Sequence, residues 1–448
     1  MSSNARNAAA FRSQSSFWKR SPAFTPTEVD YAFSSDMDAF DEPTTVPPPS
    51  RHQTDTRNAS HATTIQQQEQ PKSPTTIEHT ESSVQTEQTT SPGVETDSTR
   101  ALMQKFHRVL GASNIDLEQL QKLSWKGIPS ECRGTAWRLL MGYLPLNASR
   151  RDLTVQRKRK EYDDWVGQTF SRGEDALDRT LWHQITIDVP RTSPGSPIFQ
   201  CYRIQRSLER VLYCWAARHP ASGYVQGIND LLTPFYYVFI EQHLPQLSQY
   251  ATRGACIAGT DTLDTLIESL DGATVSAIEA DSFWCLTKLL DGIQDNYTHA
   301  QPGIQRQIVK IKELVARIDG PLATHLDSEG IEFIQFAFRW CNCLLMREMN
   351  LASTIRMWDT YLAEPDGFSD FHTYVCAAFL LKWTKELQKL DFQKLMMFLQ
   401  SPPTEAWGVK DVELLLSEAY MYKCLYHNSP SHYTTGAAGA TTVGAGRR

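Results

Sequence analysis

Two short segments carry the residue types on which chemistry could turn. The first is Ile185-Thr186-Ile187-Asp188-Val189-Pro190-Arg191-Thr192-Ser193-Pro194. Apolar spacing predicts a helix that runs into a proline-stiffened loop, leaving Arg191 among neighbours that fix its backbone. An arginine held this way loses less freedom when its planar fork docks against an anion. From spacing alone the plainer role is a local salt bridge to Asp188. The second segment is Ser222-Gly223-Tyr224-Val225-Gln226-Gly227-Ile228-Asn229-Asp230-Leu231. Gly223 and Gly227 bracket Gln226, an apolar helix follows, and Gly227 permits close backbone approach beside the amide. Here the plainer role is a helix start at which Asn229 and Asp230 cap or hydrogen-bond locally.

Other chemistries lack their residues. The chain has no Gly-x-x-x-x-Gly-Lys-Ser/Thr loop, no Gly-x-Gly-x-x-Gly, no His-Glu-x-x-His and no Gly-x-Ser-x-Gly, so it is not expected to bind a nucleotide unaided. The 12 histidines are scattered, and His183 reads as a packed helix residue rather than a base. No Cys-x-x-Cys pair occurs among the 9 cysteines, and Cys341 and Cys343 are too close for a zinc or redox pair. No metal is expected. Cys201, Cys214, Cys285 and Cys376 lie in apolar stretches and read as small buried hydrophobes; an odd cysteine count without a framework suits a reducing compartment. A net charge of −7 argues against nucleic acid as a partner. Arg150-Arg151 and Arg157-Lys158-Arg159-Lys160 could suggest an anionic membrane surface. Glu161, Asp163 and Asp164 follow directly, and a solvated mixed-charge helix is the better reading.

Positioning these residues falls to a helical body. Leu177, Leu181 and Ile185 recur at helical steps, as do Ile204, Leu208, Val211, Leu212 and Trp215, then Ile308, Ile311, Val315 and Ile318. Phe371 to Leu390 reads as one long helical stretch. Leu231 to Leu244 is the most apolar run, but it contains Pro234 and Glu241 and is too short to span a bilayer. It is expected to be a core helix, with no transmembrane segment and no secretory signal. Gly/Pro breaks fall between the periodic segments, and alternating strand patterns are missing. The fold class is therefore all-α, a multi-helix domain over 101–428. Residues 1–98 are rich in Ser, Thr, Gln and Pro and read as a disordered tail; 429–448 read likewise, and the small polar residues 247–277 as a long loop or insertion. Phe17-Trp18-Lys19-Arg20-Ser21 could bind an adaptor protein, with Ser15 a phosphorylation candidate.

Taken together, the two segments resemble the TBC domain, the domain of the Rab GTPase-activating proteins. That family carries an Ile-x-x-Asp-x-x-Arg-Thr motif followed by a Tyr-x-Gln-Gly-like motif, here Ile185, Asp188, Arg191 and Thr192, then Tyr224, Gln226 and Gly227. Gly127-Ile128-Pro129 with Arg133 to Trp137, Phe338-Arg339-Trp340 with Leu344 to Glu348, and Ile355 to Asp359 continue the resemblance in order. Within the family, Asp291 to Thr298 and the Phe17-Trp18 segment are similar to the branch of animal TBC domain family member 22 and the yeast early-Golgi Rab activator.

The resemblance implies a role for each residue. Arg191 would be an arginine finger stabilising charge on the transferring phosphoryl group, and Gln226 a second finger orienting the attacking water. Asp188, Thr192, Tyr224, Gly227 and Asn229 would support them. Arg133 and Trp137 are expected to be packing and salt-bridge residues, and Arg356 and Asp359 a structural i, i+3 pair. The partner would be a Rab-family GTPase in its GTP form; GTP and Mg²⁺ would belong to that partner, leaving this chain without a cofactor. A cytoplasmic protein, peripheral at Golgi membranes, follows from the branch. A non-catalytic Rab-binding scaffold is the alternative.

Overall fold

The computed structural model describes residues 97–250 and 260–427. The expectations for the N-terminal tail, for the segment 251–259 and for the last residues from 428 lie outside them. Within the described residues the chain is helical and has no strand; Asn114 and Asn147 make an isolated bridge.

The helices run in order as α1 (Asp97–Leu110), α2 (Leu117–Ser124), α3 (Ser130–Leu140), α4 (Arg151–Phe170), α5 (Arg179–Asp188) and α6 (Tyr202–Arg218). Next come α7 (Ile228–Glu241), α8 (Thr260–Glu268), α9 (Gly272–Gly292), α10 (Pro302–Ile318), α11 (Gly320–Ser328) and α12 (Ile334–Asn342). The remainder is α13 (Leu351–Ala363), α14 (His372–Leu381), α15 (Thr384–Leu387), α16 (Phe392–Gln400) and α17 (Val409–Tyr426). Short acidic or amide side chains start many of them. Asp178 accepts from the Leu181 N–H at 2.9 Å, Asp319 from Leu322 at 3.0 Å and Asn350 from Ser353 at 2.8 Å, each satisfying an amide the first turn leaves unpaired.

The apolar faces read from the sequence are the buried ones. Ile204, Leu208, Val211, Leu212 and Trp215 are buried on α6, and Ile308, Ile311 and Val315 on α10. Every residue of α7 from Ile228 to Ile240 is buried, as a core helix requires. Helix α9 packs against α7, α4 and α6, and α14 against α17 and α10. Between these groups α13 touches α3 and α7. There Trp137 and Trp358 stack at 6.0 Å, with Phe235 edge-on to both.

One buried carboxylate fastens this junction. Asp359, fully buried, accepts from Trp137 Nε1 at 2.7 Å, Ile128 N at 2.9 Å and Arg133 Nε at 3.2 Å. Arg133 and Trp137 are thus packing and salt-bridge residues, as expected. Arg356 is not the partner of Asp359: it donates to Thr360 Oγ1 at 2.9 Å and lies 3.5 Å from Glu413, because one turn of α13 points the two side chains at different neighbours.

Three other expectations change. Residues 260–268 and 272–277 are helical rather than loop; Asp271 accepts from the Thr274 N–H at 2.6 Å and starts a helix that small residues alone did not suggest. The stretch from Phe371 to Leu390 is broken at Lys382-Trp383, and a π-helical turn, Gly367–Phe371, leads into it. His183 is exposed, not packed. The basic run on α4 is neutralised in place. Arg157 pairs with Glu161, Lys160 with Asp164, and Arg159 with Asp281, while Lys158 lies over the Trp284 ring. No described helix is long and apolar enough to cross a membrane.

Candidate functional site

Helix α5 ends at Asp188, and a 3-10 turn, Val189–Arg191, follows with Pro190 inside it. Proline suits this place because its fixed φ is already helical and its missing N–H is not needed in a first turn. Val189 is fully buried and anchors the turn from below. Arg191 at its end is exposed. The second segment forms the loop between α6 and α7, in which Gln226 is exposed and Gly227, at φ +110°, opens the helix.

Beneath these two exposed side chains the loops are cross-linked. The Tyr224 hydroxyl lies 3.0 Å from Asp188 Oδ2 and 3.2 Å from Asn229 Oδ1, donating its proton to one of them at a time. Asn229 Oδ1 also accepts from the Gly227 N–H at 2.9 Å, and its Nδ2 donates to Thr192 Oγ1 at 2.9 Å. Thr192 passes its own hydroxyl proton to the Asp188 carbonyl at 3.0 Å. Each loop therefore holds the other through side chains that are buried or half-buried. The local salt bridge that spacing suggested is displaced, since Asp188 turns to Tyr224.

Electrostatics follow burial. Desolvation pushes the Asp188 carboxyl above its usual range, opposed by the Tyr224 hydrogen bond and then by the charge on Arg191. Burial also raises the Tyr224 phenol, and Asp188 adds to it. Asp230 is raised by burial and held down by Arg347, whose Nε donates to it at 2.8 Å. A cavity of about 300 Å³ opens beside these groups, lined by Arg191, Pro194, Asp230, Arg347, Asn350 and Glu405 among others.

The sequence-predicted residues Asp188, Arg191, Thr192, Tyr224, Gln226, Gly227 and Asn229 thus come together at one place. Two neighbours were not foreseen. Arg347 arrives from the segment after α12, and Asn342, the last residue of α12, donates to the Gln226 carbonyl at 3.0 Å. Nothing in the local spacing of either motif points to residues so far along the chain.

Away from this site, Cys341, His372 and Cys376 converge in the core, their possible ligand atoms within 4.8 Å of one another. His372 Nε2 lies 3.1 Å from the Trp340 carbonyl and Nδ1 2.8 Å from the Tyr361 hydroxyl. A carbonyl only accepts, so Nε2 carries the proton and Nδ1 receives the phenol proton. Neither nitrogen keeps a lone pair for an ion, and the group reads as packed core.

The Rab-GTPase-TBC domain profile matches residues 130–388, more than half of the chain. The chain belongs to this family. It is 54% identical over 333 residues to "GTPase-activating protein gyp1" of Schizosaccharomyces pombe, covering 74% of this chain and 62% of that protein. It is 50% identical over 332 residues to "TBC1 domain family member 22B" of Homo sapiens, covering 74% of this chain and 63% of that one. The chain thus spans less than two thirds of the length of these relatives. The crystal structure of the Ypt/Rab-GAP domain of Gyp1p superposes with a TM-score of 0.66 at 48% identity, covering 72% of this chain and 99% of that one. These likenesses, to a gyp1 protein and to a family member 22 protein, agree with the branch that the sequence motifs indicated.

Proposed function

We propose that this TBC protein accelerates GTP hydrolysis on a Rab-family GTPase by supplying Arg191 and Gln226 in trans. The observation that carries the reading is the pair of exposed side chains whose loops are tied together by Asp188, Thr192, Tyr224 and Asn229. Hydrolysis needs an oriented water and neutralised charge on the phosphoryl group. Arg191 offers five donors in a fixed fork and a permanent charge, so it stabilises the transition state more than the ground state. The Gln226 amide accepts from the water and donates toward the phosphate. GTP and Mg²⁺ belong to the Rab, and the chain contributes no cofactor of its own. Removing an arginine finger costs about 10³–10⁵-fold in rate, on the order of 4–7 kcal/mol of barrier. The relatives, a GTPase-activating protein and a Ypt/Rab-GAP domain by name, support the reading. A site of action at Golgi membranes follows from the branch.

The test is single-turnover GTP hydrolysis by a panel of purified Rabs with the full chain as wild type, Arg191→Ala, Arg191→Lys and Gln226→Ala. Acceleration of one or a few Rabs, lost in both Arg191 variants, is the expected result. Binding to GTP-loaded Rabs without acceleration of any of them would replace the enzyme reading with that of a scaffold.

A further inference from the structure

The peptide unit joining Gln226 to Gly227 is held at both of its polar ends. Its carbonyl oxygen accepts from Asn342 Nδ2 at 3.0 Å, and its N–H donates to Asn229 Oδ1 at 2.9 Å. A peptide is planar. Fixing its oxygen and its hydrogen therefore fixes the orientation of the whole plane, and with it ψ of Gln226 and φ of Gly227. The first of these angles governs where the Gln226 backbone, and the side chain it carries, stands relative to α7. Asn229 comes from the first turn of α7, directly after the peptide. Asn342 comes from the end of α12, far along the chain, and acts as an external support.

Asn342 is built to stay in place. It is 8% exposed, and its own carbonyl accepts from the buried Tyr297 hydroxyl at 2.7 Å. Which end of its amide faces Gln226 is not in question, because a backbone carbonyl can only accept and so must meet the NH₂ group. The other end, Oδ1, is buried with no hydrogen-bond partner. A buried amide oxygen without a partner is unfavourable, so packing alone does not explain an asparagine here, whereas donation to Gln226 does. Gly227 completes the fit: a Cβ there would stand 2.5 Å from Asn342 Nδ2, so the two positions require each other's shape. The backbone at Gly227, at φ +110°, is in addition a conformation that side chains resist.

We infer that Asn342 is a positioning residue for Gln226, clamping the Gln226–Gly227 peptide so that the exposed amide meets the partner's attacking water in one orientation. This rests on the reading of Gln226 as a finger. Asn342 touches no reacting atom and acts only through the backbone it holds. Misplacing a reacting group by about 1 Å costs on the order of 10²-fold. A loosened but still tethered finger should therefore lose roughly 10–100-fold in single-turnover rate, while affinity for a Rab loaded with a non-hydrolysable GTP analogue changes little.

The experiment is a double-mutant cycle on the full chain, using a Rab that the wild type accelerates. The variants are Asn342→Ala, Gln226→Ala and the double variant, each with its melting temperature and its affinity for the analogue-loaded Rab. Asn342→Asp, of the same shape but without the donor, provides a second route if the alanine variant folds poorly. The expected result is a slowed rate for Asn342→Ala and Asn342→Asp, and a double variant no slower than Gln226→Ala alone. If the Asn342 change multiplies its full loss onto Gln226→Ala, it acts by general destabilisation and the proposal is overturned. A folded Asn342→Asp with the wild-type rate overturns it as well. Should Gln226→Ala itself leave the rate unchanged, the finger reading fails first, and that outcome is separate from the other two.

Discussion

Replacing Asn229 with alanine removes three contacts from beneath the two exposed side chains. The Gly227 N–H loses its acceptor at 2.9 Å, Thr192 Oγ1 loses its donor at 2.9 Å, and the Tyr224 hydroxyl loses one of its two acceptors. Gly227 and Thr192 are buried, and water does not replace these partners freely. An orphaned buried N–H costs about 1–3 kcal/mol, and the second bond contributes about 0.5–1.5 kcal/mol. Together these give a loss of about 2–4 kcal/mol. For a folded body of roughly 330 residues, an unfolding entropy near 2.1 cal/mol/K per residue converts each kcal/mol into about 1.4 °C. Asn229→Ala should therefore lower Tm by about 3–6 °C, measured by calorimetry.

The rate should fall much further than this modest change in stability implies. With Asn229 gone, the Thr192 link disappears and Tyr224 holds Asp188 alone, so the Arg191 turn and the Gln226 loop are no longer set at a fixed separation. Displacement of either by about 1 Å predicts on the order of 10²-fold slower single-turnover hydrolysis. Asn229→Asp should fall between: it keeps an acceptor for Gly227 but sets a carboxylate oxygen against Thr192 Oγ1. Both variants are to be assayed well below their melting temperatures, at saturating activator. An Asn229→Ala protein with the expected Tm loss and an undiminished rate would refute the reasoning, since the network would then be scaffolding that does not aim the fingers.

Arg347→Ala leaves the buried Asp230 carboxylate without its partner at 2.8 Å. Asp230 is already raised by burial, and losing Arg347 raises it further. The cost of the uncompensated charge is present above the folded-state pKa and disappears as the carboxyl protonates, so the Tm deficit of the variant should be larger at pH 8 than at pH 5. Breaking a buried pair costs about 3–5 kcal/mol. The Arg347 side chain is 40% exposed, and solvent screening reduces the expected deficit at neutral pH to about 2 kcal/mol. A deficit that is flat or grows toward low pH would contradict this. Asp359→Ala strands Arg133, Trp137 Nε1 and the Ile128 N–H at the α3–α13 junction. Here Asp359 is fully buried and the Arg133 side chain only 16% exposed, so about 3–5 kcal/mol of stability should be lost, read by denaturant unfolding. In the cold, where the variant remains folded, hydrolysis should stay within severalfold of wild type, because Asp359 touches neither finger loop.

What could be read ahead of the fold follows a physical rule. Periodic apolar faces such as Ile204 to Trp215 were legible because one side of a helix meets one core. The Arg191 and Gln226 loops were legible because Pro190, Gly223 and Gly227 mark where regular structure stops. Helix α8 and the start of α9 were not. Their Thr, Ser, Ala and Gly residues carry little intrinsic preference, and it is the Asp271 cap and burial of Leu263, Ile267 and Val275 that make them helical. The Arg356–Asp359 pairing failed for the converse reason. Helical spacing permits an i, i+3 contact, but it cannot reveal that Arg133 and Trp137 reach Asp359 from another helix. Asn342 was out of reach for the same reason, standing 116 residues from the peptide it holds.

The buried polar groups around the proposed fingers also bear on why this site is built as it is. Asp188 and Asp230 are both pushed toward their neutral forms by desolvation, and Asn342 leaves an amide oxygen unpaired. Apolar residues of similar size would often stabilise such a core as well or better. What apolar residues could not do is fix the direction of a backbone carbonyl or set two loops at hydrogen-bonding distance. Arg191 and Gln226 are themselves exposed, as the proposed role in trans requires. Their aim cannot come from packing of their own side chains. It has to come from the layer beneath, and in that layer directional hydrogen bonds, rather than hydrophobic contact, hold the Gln226–Gly227 peptide and tie the two loops together.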